Sequence, residues 1–162
     1  MDIKEFFLKQ KEAVRGRTRQ VAGLVRAEHL GWRPEKDALS VGEMLRHMWV
    51  SEEGVRRAAL EDNFAYYETR IPRGLRAVLG QPGSLEEELG NLERVHRETL
   101  AAVAAWPLER WEEERARAAL GFRRKVGVML LGINEHEIHH RAQLMTYLRM
   151  LGTPVPEPFV RR

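Results

Sequence analysis

The sequence contains no cysteine. That excludes a disulfide scaffold, a Cys-ligated zinc site, an iron–sulfur cluster and a cysteine nucleophile, so any metal must be held by histidine and carboxylate side chains. No apolar run approaches the roughly 20 residues needed to span a bilayer, and no membrane association is expected. The opening stretch MDIKEFFLKQ is charged and helical in pattern, unlike a secretory leader, which makes a cytoplasmic location the expectation. Internal repeats, low-complexity linkers, a P-loop and a Ser-His-Asp grouping are also missing, and strand patterns are scarce.

What remains suits one globular domain over residues 1–162. Apolar residues make up 43% and charged residues 31%, too apolar a balance for disorder and enough for a sizeable core. The formal net charge is +3. The densest basic cluster is Arg115, Arg117, Arg123, Arg124 and Lys125. No nucleic-acid motif accompanies it, so it reads as a solvated face with local ion pairs, and nucleic acid is not expected as a partner.

Four amphipathic stretches are predicted as helices. The first runs from about Asp2 to Glu28 and stops before Gly31-Trp32-Arg33-Pro34, where Pro34 disfavours helical geometry at Arg33. The second starts at Ser40, with Glu43 three residues on as a capping box, and continues to about Leu60. The third starts with a second box, Ser84 and Glu87, and ends at Trp106-Pro107. The fourth begins near Lys125 and stops at Gly152, with Pro154 and Pro156 beyond it. Residues 61–80 read as a crossover with a short helical turn, and an extended piece is expected around Ala118–Phe122. Long amphipathic helices with little strand signal favour an all-α bundle.

Functional signals concentrate in the fourth helix. Val126, Leu130, Ile133, Leu144, Leu148 and Leu151 form its apolar stripe, with His140 beside it and His136 a little further round. Residues four apart stack one turn apart, so His136 and His140 can grip one ion. His139 turns roughly 100° away from His140 and reads as a rim residue. Gln143 lies close to His136 on the wheel and could face the site or a substrate. Burying two imidazoles costs free energy unless both find partners, which sets a ligand role level with a core role, and a third histidine on another helix adds to it. A third ligand must come from another helix. His47, at the edge of the second helix's stripe, is one choice; His96, on the stripe of the third, is the competitor, with a plain buried role as its alternative. His29 reads as a cap at a helix end, where a partial negative charge favours a protonated ring.

Residues 136–140, His-Glu-Ile-His-His, also match H-E-x-x-H, in which two histidines bind zinc and the glutamate is the general base of a metallohydrolase. That would make Glu137 the base. The residues after His140 include no histidine and one carboxylate, Glu157, so the extended peptidase form is missing. Glu137 also has a plain role as the helical ion-pair partner of Arg141, four residues on.

The longer string, His136-Glu-Ile-His-His140-Arg-Ala-Gln-Leu144 with Tyr147-Leu-Arg149 and Leu151-Gly-Thr-Pro-Val-Pro156, resembles the closing helix of the DinB/YfiT-like superfamily. Ser40-Val-Gly-Glu-Met-Leu45-Arg-His47, with Trp32-Arg33-Pro34 ahead of it, is similar to the family's second helix. The resemblance spans nearly the whole chain and is weakest over 61–124. It implies an antiparallel four-helix bundle with a long crossover between helices 2 and 3. It also implies a divalent metal ion (Zn, Ni, Fe or Mn) on His47, His136 and His140, and a homodimer. Some relatives are thiol-dependent S-transferases or isomerases, which makes a small-molecule thiol and an electrophile the expected substrates, with Glu137 or Gln143 as candidates to orient them. A metal-binding protein without catalysis, or a dimeric interaction module, is the alternative.

Overall fold

The structure is a computed structural model, and residues 1–155 of it are described; Pro156 of the tail motif and Glu157 lie outside them. Four long helices make the body: α1 (Ile3–Ala22), α2 (Val41–Glu61), α5 (Leu85–Ala105) and α6 (Val126–Met150). Two short helices, α3 (Ala65–Arg73) and α4 (Arg76–Leu79), lie in the crossover between α2 and α5. A small hairpin, β1 (Glu114–Arg117) and β2 (Phe122–Lys125), leads into α6. The architecture is all-α, as expected. α1 packs on α5 and α6, and α2 packs on the same two helices. No described helix is long and apolar enough to cross a membrane.

The predicted capping chemistry starts two of the long helices. Ser40 Oγ accepts from the Glu43 N–H at 3.1 Å while Glu43 returns to the Ser40 N–H at 2.8 Å. Ser84 and Glu87 repeat the exchange at 3.2 and 2.6 Å. Each box satisfies two backbone donors that the first helical turn leaves unpaired.

Three local expectations change. α1 ends at Ala22 rather than Glu28. Gly23, a poor helix former, closes it, and the chain then turns so that Val25 joins the core. His29 is buried in the short 3₁₀ turn that follows, where its Nδ1 accepts from the Arg26 N–H at 3.1 Å. It therefore caps the start of a turn through a bare nitrogen, not the end of a helix through a protonated ring. The extended piece near Ala118–Phe122 is instead the bend of the hairpin: Ala118–Leu120 is a 3₁₀ turn, Gly121 takes φ 59°, and the strands flank it with Arg117 opposite Phe122.

The core has two apolar halves. One gathers Phe7, Phe64, Trp111, Leu130 and Ile133; the other gathers Val21, Met44, Leu45, Leu92, Leu144 and Leu148. A buried polar layer lies between them along the chain of each long helix: Lys11 and Arg15 on α1, His47, Ser51 and Glu52 on α2, His96 and Thr99 on α5, and Glu137, His140 and Arg141 on α6. Polar groups out of water must be paired, so the partners within this layer decide what it can do.

Candidate metal centre

His47 projects from α2 and His136 and His140 from successive turns of α6. Their ring centroids form a nearly equilateral triangle, with sides of 4.6, 4.5 and 4.4 Å. One ring nitrogen from each lies within 4.8 Å of the other two, and among the described residues no other trio of histidine or acidic ligands converges in this way. The Nε2 atoms of His47 and His136 are 3.0 Å apart. Two imidazole nitrogens at tetrahedral angles around an ion at about 2.05 Å sit about 3.3 Å apart, so the His47–His136 pair stands close to the spacing a divalent cation needs.

The outer nitrogens are held by partners that set the tautomers. The Gln143 side-chain oxygen lies 2.7 Å from His140 Nδ1. A carbonyl oxygen can only accept, so the proton sits on Nδ1 and Nε2 carries a free lone pair. Ser51 Oγ lies 2.9 Å from His47 Nδ1 and 2.7 Å from the Tyr66 hydroxyl. With His47 Nδ1–H donating to Ser51 and Ser51 donating to Tyr66, the His47 Nε2 lone pair also turns inward. Such outer partners orient ligating imidazoles and raise their basicity toward the ion.

Charge favours the neutral rings that a metal requires. Burial, followed by the neighbouring His136 and His140 and the Arg70 guanidinium, pushes His47 down to about 2. Burial again, with His140 and Arg70 adding to it, lowers His136 to about 3. His140 is lowered by burial, against an opposing contribution from Gln143.

The other histidines fall elsewhere. His139 is exposed, its ring 4.8 Å from that of His140, at the rim as expected. His96 is buried on α5 with Nε2 3.3 Å from a carboxylate oxygen of Glu12, outside the trio.

Glu137 does not face the site. Its position on α6 turns it toward α1, where Lys11 Nζ donates to it at 2.6 Å and Arg15 at 3.1 Å. Glu52 of α2 accepts from the same two cations at 2.8 and 2.9 Å. Burial alone would raise the Glu137 carboxyl, but Lys11 and Arg15 outweigh it and bring it down to about 2. The expected Glu137–Arg141 pair is replaced by this α1 contact, and Arg141 donates instead to the Val14 carbonyl at 3.2 Å. A general base needs a free lone pair beside the ion; Glu137 is a charge partner inside the bundle.

A cavity of about 240 Å³ opens beside His136. Ser51 and Ile133 line its inner side, Tyr66, Tyr67 and Arg70 come from α3, and Phe122 and Arg124 come from β2. Gly54 makes the α3 wall possible: a Cβ there would lie 2.4 Å from Tyr66 Cγ. The basic cluster is mostly neutralised close by. Arg115 pairs with Glu113 at 3.2 Å, Arg117 with Asp62 at 3.0 Å and Arg123 with Glu114 at 2.7 Å, and Lys125 pairs with Glu112.

Several of these residues were not singled out from the pattern. Ser51 follows His47 by the same four residues that join His136 to His140, which was a usable signal. Lys11 puts a charge on the same α1 face as Phe7, Val14, Thr18 and Val21, which was another. Tyr66 and Arg70 had none, because their place depends on how the crossover folds back.

Comparison with known proteins gives the chain relatives in sequence and in fold. The family model of the DinB superfamily matches residues 10–144. The protein YjoA of Bacillus subtilis is 24% identical over 137 residues, covering 83% of this chain and 82% of YjoA. The crystal structure of that DinB-like protein superposes with a TM-score of 0.74 at 20% identity, over 96% of this chain and 99% of the other. A DinB-like protein from Bacillus cereus matches with a TM-score of 0.74 at 18% identity, over 94% and 95% of the two chains. At these identities the structures bear on the fold alone.

Proposed function

The chain belongs to the DinB superfamily, and from that premise we propose that it is a metal-dependent enzyme that holds one divalent ion on His47, His136 and His140 and transfers a thiol to an electrophile. The observation that carries the proposal is the convergence of three neutral imidazoles, one of which, His136, lines a cavity. A purely structural ion is normally closed in by four protein ligands, whereas three ligands beside an opening leave a position for a substrate. Three nitrogen ligands and no sulfur suit Zn, Ni, Fe or Mn.

The ion, held by His47, His136 and His140, would supply Lewis acidity, which would make a thiol beside it more acidic and so a better nucleophile. The chain's own residues do the rest. Ser51 and Gln143 hold the His47 and His140 rings with Nε2 inward. Tyr66, Tyr67 and Phe122 wall the cavity with aromatic surface and limit water. In the transfer, the thiol proton leaves to solvent, sulfur bonds to the electrophilic carbon, and the bond from that carbon to its leaving group breaks with its electron pair. The H-E-x-x-H hydrolase reading loses support, because Glu137 is spent on Lys11 and Arg15. A homodimer is also proposed, and sedimentation equilibrium checks it.

The test has two stages. Untagged protein and its His47→Ala, His136→Ala and His140→Ala variants are analysed for bound metal; the wild type is expected to carry one ion per chain and each variant to lose it. Metal-free wild type after exposure to each candidate ion, or variants that retain the ion fully, would remove the metal proposal. Metal-loaded protein is then incubated with low-molecular-weight thiols and alkylating electrophiles, and absence of turnover across all of them removes the transferase assignment.

A further inference from the structure

The charges around the cavity are unbalanced. Two guanidinium groups line it, Arg70 from α3 and Arg124 from β2. Its acidic lining residue is Glu52, whose Oε2 is shared by Lys11 at 2.8 Å and Arg15 at 2.9 Å. Glu52, Glu137, Lys11 and Arg15 together sum to zero, so that quartet offers the cavity no net negative charge. The three histidines are neutral ligands.

Arg70 stands out among the arginines of the molecule. Most others on this side are paired with carboxylates, but Arg70 stacks over the Tyr66 ring at 5.7 Å, and no described carboxylate lies within ion-pair distance of it. Arg124 leans toward Phe122 at 5.9 Å and donates to the Arg123 carbonyl at 2.7 Å. Arg70 is half-buried and lies close enough to His47, His136 and His140 to disfavour a charge on each of them. A cation placed beside a cation-binding site works against the metal unless something negative arrives with the substrate.

We infer that the cavity selects a small carboxylate-bearing substrate, its carboxylate paired by Arg70 with Arg124 at the rim, and its apolar body lying against the contiguous rings of Tyr66, Tyr67 and Phe122 with the reacting atom toward His136. The inference rests on the metal-dependent reading above and adds the substrate class. A guanidinium fork matches a carboxylate with two parallel hydrogen bonds, and the stack on Tyr66 holds that fork ready. The volume of about 240 Å³ suits a flat, compact acid.

The test uses the cobalt-loaded full chain and two matched probes, 3-mercaptobenzoate and 3-mercaptobenzamide, with binding read from the thiolate-to-cobalt absorption band and by calorimetry. The wild type is expected to bind the carboxylate about tenfold or more tightly than the amide, the value of a charge-assisted contact. Arg70→Gln should erase most of that preference, read as the ratio of carboxylate to amide affinity within the same variant, and Arg70→Lys should restore part of it. Arg124→Gln, at an exposed position, should reduce the preference by a smaller factor. Equal affinity of the two probes in the wild type overturns the inference, and that comparison depends on no variant folding. A preference that survives Arg70→Gln with Arg124→Gln overturns it as well. Failure to take up cobalt in the first step would instead sink the metal reading and this inference with it, whereas cobalt uptake without discrimination sinks the substrate class alone.

Discussion

Replacing Glu137 by Gln separates a catalytic base from a structural charge. The carboxylate is 2% exposed and is shared by Lys11 at 2.6 Å and Arg15 at 3.0 Å. Lys11 and Arg15 are themselves 0% and 1% exposed, so neither can turn to water when the partner is neutralised. The quartet then carries one uncompensated positive charge. Breaking a buried ion pair from one side costs about 3–5 kcal/mol. For a chain of this size each kcal/mol moves the unfolding midpoint by about 2–4 °C, which gives a fall of roughly 6–20 °C. The assay is thermal unfolding at neutral pH by circular dichroism, with chelator present so that metal binding does not contribute. Lys11→Met combined with Glu137→Leu removes one charge of each sign and should recover most of the loss, because an apolar pair of similar volume often replaces a buried ion pair without penalty. A Glu137→Gln midpoint equal to the wild type, together with loss of turnover, would refute the structural assignment and revive Glu137 as a base.

Three further outcomes follow from the same geometry. His47 and His136 are held near 2 and 3, so below their unfolded value near 6.5 the unfolded chain takes up protons that the folded chain refuses; metal-free protein should lose about 2 kcal/mol per ring between about pH 7 and about pH 5, seen as a falling urea midpoint, and a flat profile would contradict it. Ser51→Ala frees the His47 ring, and metal affinity measured against a competing chelator should drop about 10–100-fold, with Gln143→Leu acting similarly through His140. Gly54→Ala forces Tyr66 off α2, and the overpacking cost of about 1–3 kcal/mol should exceed the roughly 1 kcal/mol gain in helix propensity, so a raised midpoint would count against the close packing of α3.

Residues 136–140 show how far a linear pattern reaches. The period of the helix puts His136 and His140 on one side and turns His139 out to solvent, and the structure agrees on both. The same five residues also supported a hydrolase motif, and no property of the string itself decides against it. The decision comes from Lys11 and Arg15, more than 120 residues away, which occupy the glutamate. The basic cluster gives a parallel case. Its reading as a locally paired face is supported for Arg115, Arg117, Arg123 and Lys125, while Arg124 lines the cavity, and only the fold of the hairpin separates it from its neighbours.

Relations inside one helix or across one turn were set by the sequence alone. The Ser40 and Ser84 boxes, the lack of sulfur ligands and the stacked pair on α6 are of this kind, because helical pitch converts spacing into angle whatever surrounds it. Relations between helices were decided by the tertiary structure. The Nε2 contact between His47 and His136 spans two helices, the quartet spans three, and the cavity wall is built by α3 and β2 from the segments with the weakest pattern. Distances of this sort follow from how apolar halves pack above and below a polar layer, and a polar side chain takes its role from whatever charge that packing sets opposite it.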